Sequence, residues 1–187
     1  MGSALSSGTE LEVTYAVDRL LLIHSVLYSF GGIPLVYMGD EIAMLNDEGW
    51  ASDPAHEDDN RWMHRPEMDW KAARRRTEPE SVEGRVFSGL VELARARASS
   101  ESLRSDAALS VLPTENPHVL AYVRRHPRAL PVLALACFSD TEQYIDLEIL
   151  RRADISWPRH LHSSAESVDT RGTSLVLPPW GFLWLTR

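Results

Sequence analysis

The chain of 187 residues has a single cysteine, Cys137. A lone cysteine forms no internal disulfide, which excludes oxidative stapling. It lies in the apolar run Val132 to Phe138 and reads as a small buried hydrophobe. There is no excess of basic charge: 19 Lys and Arg stand against 27 Asp and Glu, a net charge of -8. That balance argues against nucleic acid or an anionic membrane as partner. There is no long hydrophobic run either. The longest, Ala16 to Phe30, is broken by Asp18, Arg19 and His24, too short and too charged to span a bilayer. The first eight residues lack a basic segment followed by an apolar core, so no secretory signal is expected and a cytoplasmic location is the default. A Gly-x-Ser-x-Gly elbow, a phosphate loop and a dinucleotide fingerprint are all missing. So are internal repeats.

What is present begins with Gly31-Gly32-Ile33-Pro34-Leu35-Val36-Tyr37-Met38-Gly39-Asp40-Glu41. An apolar run that stops at glycine and two carboxylates predicts a strand over 33–38, buried on both faces as in a parallel sheet or barrel. Polar residues just past such a strand lie where barrel enzymes build their sites. Upstream, Leu11, Val13, Val17, Leu20, Leu21, His24, Leu27 and Tyr28 recur at helical steps, predicting a helix over 10–30 that the glycine pair ends. Residues 1–9 are small and polar and are expected to be loose. Residues 42–76 follow no period and predict a long loop, its Trp50, Trp62 and Trp70 arguing against disorder. Thr77-Glu78-Pro79-Glu80 has the pattern of a capping box, predicting a helix over 77–98.

After residue 102 the pattern changes. Short apolar segments recur about every ten residues, the rhythm of an antiparallel β-sandwich. They are 109–112, 118–124, 130–138, 143–147, 175–177 and 181–185. The expected class is therefore α+β: a helix–strand–loop–helix segment over 1–102 and an antiparallel β-sandwich over 103–187.

Several residues offer chemistry, each with a plainer alternative. Asp40 and Glu41 are carboxylates for a sugar-binding mouth or acceptors that fix the loop; for Glu41 the shaping role is favoured. Arg61 and Arg65 flank Trp62-Met63-His64 and suit carboxylate or hydroxyl recognition, while Glu57-Asp58-Asp59 supplies nearby salt-bridge partners. The loop tryptophans are stacking platforms for a pyranose or the loop's own small core. His56-Glu57-Asp58-Asp59 lacks the alternation of a calcium loop. His160-Leu161-His162 places two imidazoles on one strand face without a third ligand. No metal and no cofactor is expected.

With these segments in order, the chain resembles the C-terminal portion of an α-amylase superfamily enzyme, most like the amylosucrases and sucrose hydrolases. The resemblance rests on Ala16-Val17-Asp18-Arg19, the run Gly32 to Glu41, Leu45-Asn46-Asp47 with Trp50, Asp58-Asp59-Asn60-Arg61-Trp62-Met63-His64-Arg65-Pro66, and Leu177-Pro178-Pro179-Trp180-Gly181-Phe182-Leu183-Trp184-Leu185. It implies that 33–38 is the last strand of a TIM (β/α)8 barrel, 42–76 the loop at its catalytic mouth, and 103–187 the closing β-sandwich. It implies substrate-binding positions at Arg61, Asp47 and Arg65, with Gly39, Asp40 and Glu41 shaping the mouth. Arg61 matches an arginine that forms the floor of a glucosyl pocket. The family's catalytic Asp, Glu and Asp precede the matched region, so no catalytic residue is assigned and this chain alone is expected to be inactive. Sucrose or an α-glucan is the implied substrate once a barrel is supplied, with an upstream barrel fragment as the implied partner. A non-catalytic glucan-binding β-sandwich module, or a relic without function, is the alternative.

Overall fold

The computed structural model describes residues 1–164 and 169–187. Packing divides them into two compact units, Met1–Val17 with Val36–Gly89 and Asp18–Leu35 with Leu90–Arg187. Where a boundary near 102 is expected, the division is interleaved, and two helices each contribute residues to both units.

The first unit holds helix α1 (Gly2–Ser7), the start of α2 (Glu10–Phe30), α3 (Trp70–Arg74) and the start of α4 (Val82–Ala98). The N-terminal residues expected to be loose form α1, closed by Gly8 N donating to Ala4 O. Helix α2 starts on a reciprocal cap: Thr9 N donates to Glu12 Oε2 at 2.7 Å and Glu12 N to Thr9 Oγ1 at 3.4 Å. The loop over 42–76 is broken into short 3-10 turns and α3, whose first N–H groups are received by Asp69.

Helix α4 begins at Val82 and not at Thr77. Pro79 disfavours helical geometry at the residue before it, and Glu78 is extended at φ -94°, ψ 105°. Ser81 then caps the helix, its Oγ accepting from Gly84 N at 2.9 Å. A side chain at Gly84 would start 1.9 Å from Glu78 O, so the incoming chain crosses where only glycine fits.

The second unit contains strands β1 (Ala108–Leu112), β2 (Val119–Arg125), β3 (Val132–Cys137) and β4 (Gln143–Asp146). Helix α5 (Glu148–Arg152) follows, then β5 (Arg159–Ser163), β6 (Asp169–Arg171), β7 (Ser174–Leu177) and β8 (Phe182–Thr186). They form two antiparallel sheets in the orders β1-β2-β3-β8-β5 and β4-β7-β6. Alternate residues of the strands make the core between them. Val119, Ala121 and Val123 of β2 join Leu133, Leu135, Leu183 and Leu185 from the larger sheet and Ile145, Leu175 and Leu177 from the smaller. Cys137 belongs to this cluster, and burial pushes its thiol pKa up.

On the opposite face of the larger sheet, Tyr122, Ala134, Trp184 and His162 form one cross-strand row. The C-terminal part of α2 packs here. Phe30 meets Tyr122 edge-on at 5.1 Å, and the Ser29 and Tyr122 hydroxyls are 2.5 Å apart. Two arginines hold the end of this helix. Arg124 donates to Ser29 O at 2.8 Å and Arg97 to the carbonyls of Tyr28 and Gly32. They take up carbonyls that the helix leaves without an internal partner.

The strand expected over 33–38 carries no ladder among the described residues. A strand is defined by a partner for its N–H and C=O groups, and no other described strand pairs with this segment. Ile33 is 88% and Leu35 80% exposed. The two imidazoles of His160 and His162 do not share a face either. A bulge between them pairs His160 with Leu185 but His162 with Trp184; the extra residue turns the two histidines to opposite sides.

Candidate functional site

The polar residues singled out by the sequence lie in the first unit, between Gly39 and Arg65. Gly39 takes φ 98°, opening a tight turn in which Ile42 N and Met44 N both donate to Gly39 O, at 3.1 and 2.9 Å. The side chain of Met44 crowds Gly39, where a Cβ would meet its Cε at 2.8 Å, and the positive φ itself favours glycine. Glu41 turns back on this corner, its Oε2 accepting from Gly39 N at 2.8 Å. Ile42 is buried beneath it. Asp40 is exposed and makes no side-chain hydrogen bond among the described residues.

Asp47 folds a second corner, Oδ1 accepting from Gly49 N at 2.8 Å. Its own N–H donates to Met63 O at 2.9 Å. That bond lays Asp47 beside the 3-10 turn Asn60–His64, and Asn46 Oδ1 lies 3.2 Å from His64 Nδ1 along the same seam. Arg61, Arg65 and Asp47 are therefore gathered on one small loop platform, although Asp47 is remote from the arginines in the chain.

Within the platform, Asp59 organises Arg61. Its carboxylate accepts from Arg61 N, from Nε at 2.8 Å and from Nη2 at 2.7 Å, a bidentate pairing. These bonds hold the Asp59 carboxyl down to about 2, so it stays ionised at any ordinary pH. Of the acidic run before Arg61, Asp59 is thus the partner. Arg61 is nonetheless 72% exposed, and its Nη1 remains open to a ligand. Trp62 lies beneath: the His56 ring stacks on it at 3.8 Å and 19°, and the Arg65 guanidinium sits 5.7 Å from its centre. No sequence signal points to this stack, since His56 and Trp62 share no periodicity. Trp70 is 69% exposed and joins no ring contact among the described residues.

Chemically, the platform offers an open guanidinium edge at Arg61, a second one at Arg65, and the free carboxylate oxygen of Asp47. Such a set suits a neutral polyhydroxy ligand. It contains no pair of carboxylates flanking one reacting bond.

Residues 109–184 match the family described as the maltogenic amylase C-terminal domain. A glucosylglycerate phosphorylase of Escherichia coli (strain K12) is 23% identical over 168 residues, 89% of this chain and 28% of that protein. Among solved structures, a trehalulose synthase mutant in complex with Tris aligns with a TM-score of 0.67 at 15% identity, covering 99% of this chain and 41% of that one. An isomaltulose synthase from Klebsiella sp. LX3 aligns at 0.66 and 16%, covering 90% and 38%. These findings make residues 109–184 similar to an amylase-type C-terminal domain and give the chain the fold of part of these synthases. The chain spans under half the length of each of these relatives. A further trehalulose synthase structure holds that enzyme's substrate sucrose. No helix among the described residues is long and apolar enough to cross a membrane.

Proposed function

We propose that this chain forms the last strand, the eighth mouth loop and the C-terminal β-domain of an enzyme acting on sucrose or a related α-glucoside, by glucosyl transfer or hydrolysis, and that it does not turn over substrate alone. One observation carries this reading: the segment 33–38, which pairs with no strand among the described residues. Its Ile33 and Leu35 lie open, and α2 adds Ile23, Leu27 and Phe30, each at least 38% exposed, at spacings of four and three. Unpaired backbone next to an apolar helix face is what a barrel strand and its helix present when their neighbours are not there. The 41% coverage of the trehalulose synthase chain leaves room for those neighbours in a longer polypeptide.

On this reading Arg61, held by Asp59, faces a sugar at the mouth, with Asp47 and Arg65 beside it and Gly39, Asp40 and Glu41 shaping the corner. The test is complementation. Co-expression with a polypeptide supplying the preceding strands and their carboxylates is expected to release fructose from sucrose, while the chain alone does not. Turnover of sucrose by the purified chain alone would overturn the proposal. The competing reading, a glucan-binding module, is favoured by Trp157, an indole 81% exposed on the β-domain. It predicts retardation in a starch gel that is lost in Trp157→Ala.

A further inference from the structure

The second unit contains a cleft of about 640 Å³, lined among others by Tyr28, Arg97, Ser100, Glu101, Arg104 and Ser105. Its walls come from the end of α2, the end of α4 and the connection into the β-sandwich. Two features make it more than a surface fold.

The first is charge. Arg97 lies on the cleft wall and donates only to the carbonyls of Tyr28 and Gly32. Arg124, fully buried just behind, donates only to the carbonyls of Ser29, Arg104 and Ala107, and its Nε has no acceptor. Neither has a carboxylate partner among the described residues. Burial pulls the pKa of both arginines down, and the charge of Arg97 lowers that of Arg124 further, so the two guanidinium groups feel each other. Carbonyl dipoles satisfy their N–H groups without cancelling their charge. The nearby acids are engaged elsewhere: Glu101 lies 3.4 Å from both His126 Nδ1 and Arg128 Nε, and Asp106 lies 3.4 Å from Arg104. Glu101 and Asp106 are thus matched by Arg128 and Arg104, and the charges of Arg97 and Arg124 are left over.

The second is open donor capacity at the rim. The hydroxyls of Ser100 and Ser105 make no side-chain hydrogen bond among the described residues, and Arg104 is 54% exposed. Two hydroxyls and the exposed guanidinium of Arg104, which meets Asp106 only through Nε, stand at the entrance beside Arg97, with Arg124 buried behind; this set matches an oxyanion attached to a hydroxylated body. The volume accommodates a monosaccharide-sized molecule and exceeds what a bare ion needs.

We propose that this cleft is a binding site for a small sugar-phosphate-class anion, with Arg97 and Arg104 facing the phosphate and Ser100 and Ser105 its skeleton. The proposal does not rest on the glucoside reading above, because it uses none of the residues between Gly39 and Arg65.

The test uses the full chain and glucose 6-phosphate, with glucose and inorganic phosphate as comparators at matched ionic strength. Phosphorus NMR line broadening of glucose 6-phosphate on adding the protein is expected, together with slower exchange than inorganic phosphate shows; glucose is expected to leave the melting temperature unchanged. Ser105→Glu places a like charge at the rim without touching any hydrogen bond of the fold and is expected to weaken binding about tenfold or more. Arg104→Gln keeps the backbone carbonyl that Arg124 uses and is expected to weaken it several-fold. Broadening that is absent in the parent chain, or unchanged in both variants, overturns the site. Equal broadening of inorganic phosphate and glucose 6-phosphate overturns the sugar-phosphate assignment.

Discussion

Tyr122 is the residue on which the packing of α2 against the β-sheet turns. It is 1% exposed, its hydroxyl is hydrogen-bonded to that of Ser29, and its ring meets Phe30 edge-on. Burial pushes its phenol up to about 12, against the smaller opposing effects of Ser29 and Arg124. A raised phenol is protonated in the folded chain when the unfolded chain has already ionised. Its contribution is therefore complete below pH 10 and is lost as pH rises toward 12, by about 3 kcal/mol in all. Tyr122→Phe is expected to flatten the alkaline limb of a urea-stability profile over that window; an unchanged slope would refute the assignment. His162 gives the acid counterpart. Burial beside Phe182 and Trp184 lowers its pKa, with Glu92 opposing and His160 reinforcing. The unfolded chain then binds a proton that the folded chain resists, so stability falls as pH drops through the ordinary histidine value near 6.5 and levels off below the folded value. His162→Leu is expected to remove that step from urea midpoints measured between roughly pH 7 and pH 5. Gly84 sits in a helix, where alanine is ordinarily better by about 1 kcal/mol. Here the Glu78 carbonyl occupies the space of a Cβ. The clash outweighs the propensity, and Gly84→Ala is expected to lower stability by about 1–3 kcal/mol in denaturant titrations.

Elements are legible in the sequence where one periodicity rules. Helix α2 ends where the glycine pair says it should, and six of the short apolar runs after residue 102 are β1, β2, β3, β4, β7 and β8 to within two residues. Where two local signals compete, the sequence misleads. Thr77 and Glu80 spell a capping box, but Pro79 forbids the helix from passing through Glu78, and the start falls to Ser81. Ser81→Ala is accordingly expected to cost about 1 kcal/mol and to fray the first turn of α4, visible as faster amide exchange at Gly84. Thr77→Ala should leave that exchange unchanged. The bulge at Leu161 has no sequence signal at all, because a one-residue insertion is read only from the partner strand. Strand β6, Asp169–Arg171, has no apolar alternation, being exposed throughout, and is held by pairing with β7.

For the molecule as a whole, the sequence tells the class of each half but not how they divide. Hydrophobic pattern changes at 102, whereas packing assigns the second half of α2 and of α4 to the β-domain. The reason is that Ser29 and Arg124 are joined across 95 positions, a link no window along the chain can see. The loop site is legible as a set of residues and illegible as a geometry. Arg61 stands out in the sequence, yet its bidentate hold on Asp59 and the seam from Asp47 to Met63 need the fold. In an enzyme restored by complementation, Arg61→Ala is expected to reduce sucrose turnover by about a hundredfold or more while far-ultraviolet circular dichroism is retained. Near-normal turnover would remove Arg61 from the pocket. Asp59→Asn should produce a smaller loss, since it frees the guanidinium without deleting it.

The fork at Arg124 has a consequence for reading other chains of this kind. One side chain there serves three separate carbonyls, one on α2 and two on the turn Arg104–Ala107 that leads into β1. A lysine brings the same charge but a single nitrogen, unable to span all three. The arginine also constrains the Gly31 corner, since a Cβ at that glycine would meet the guanidinium at 3.2 Å. A side chain at position 31 should therefore occur only where position 124 is no longer arginine.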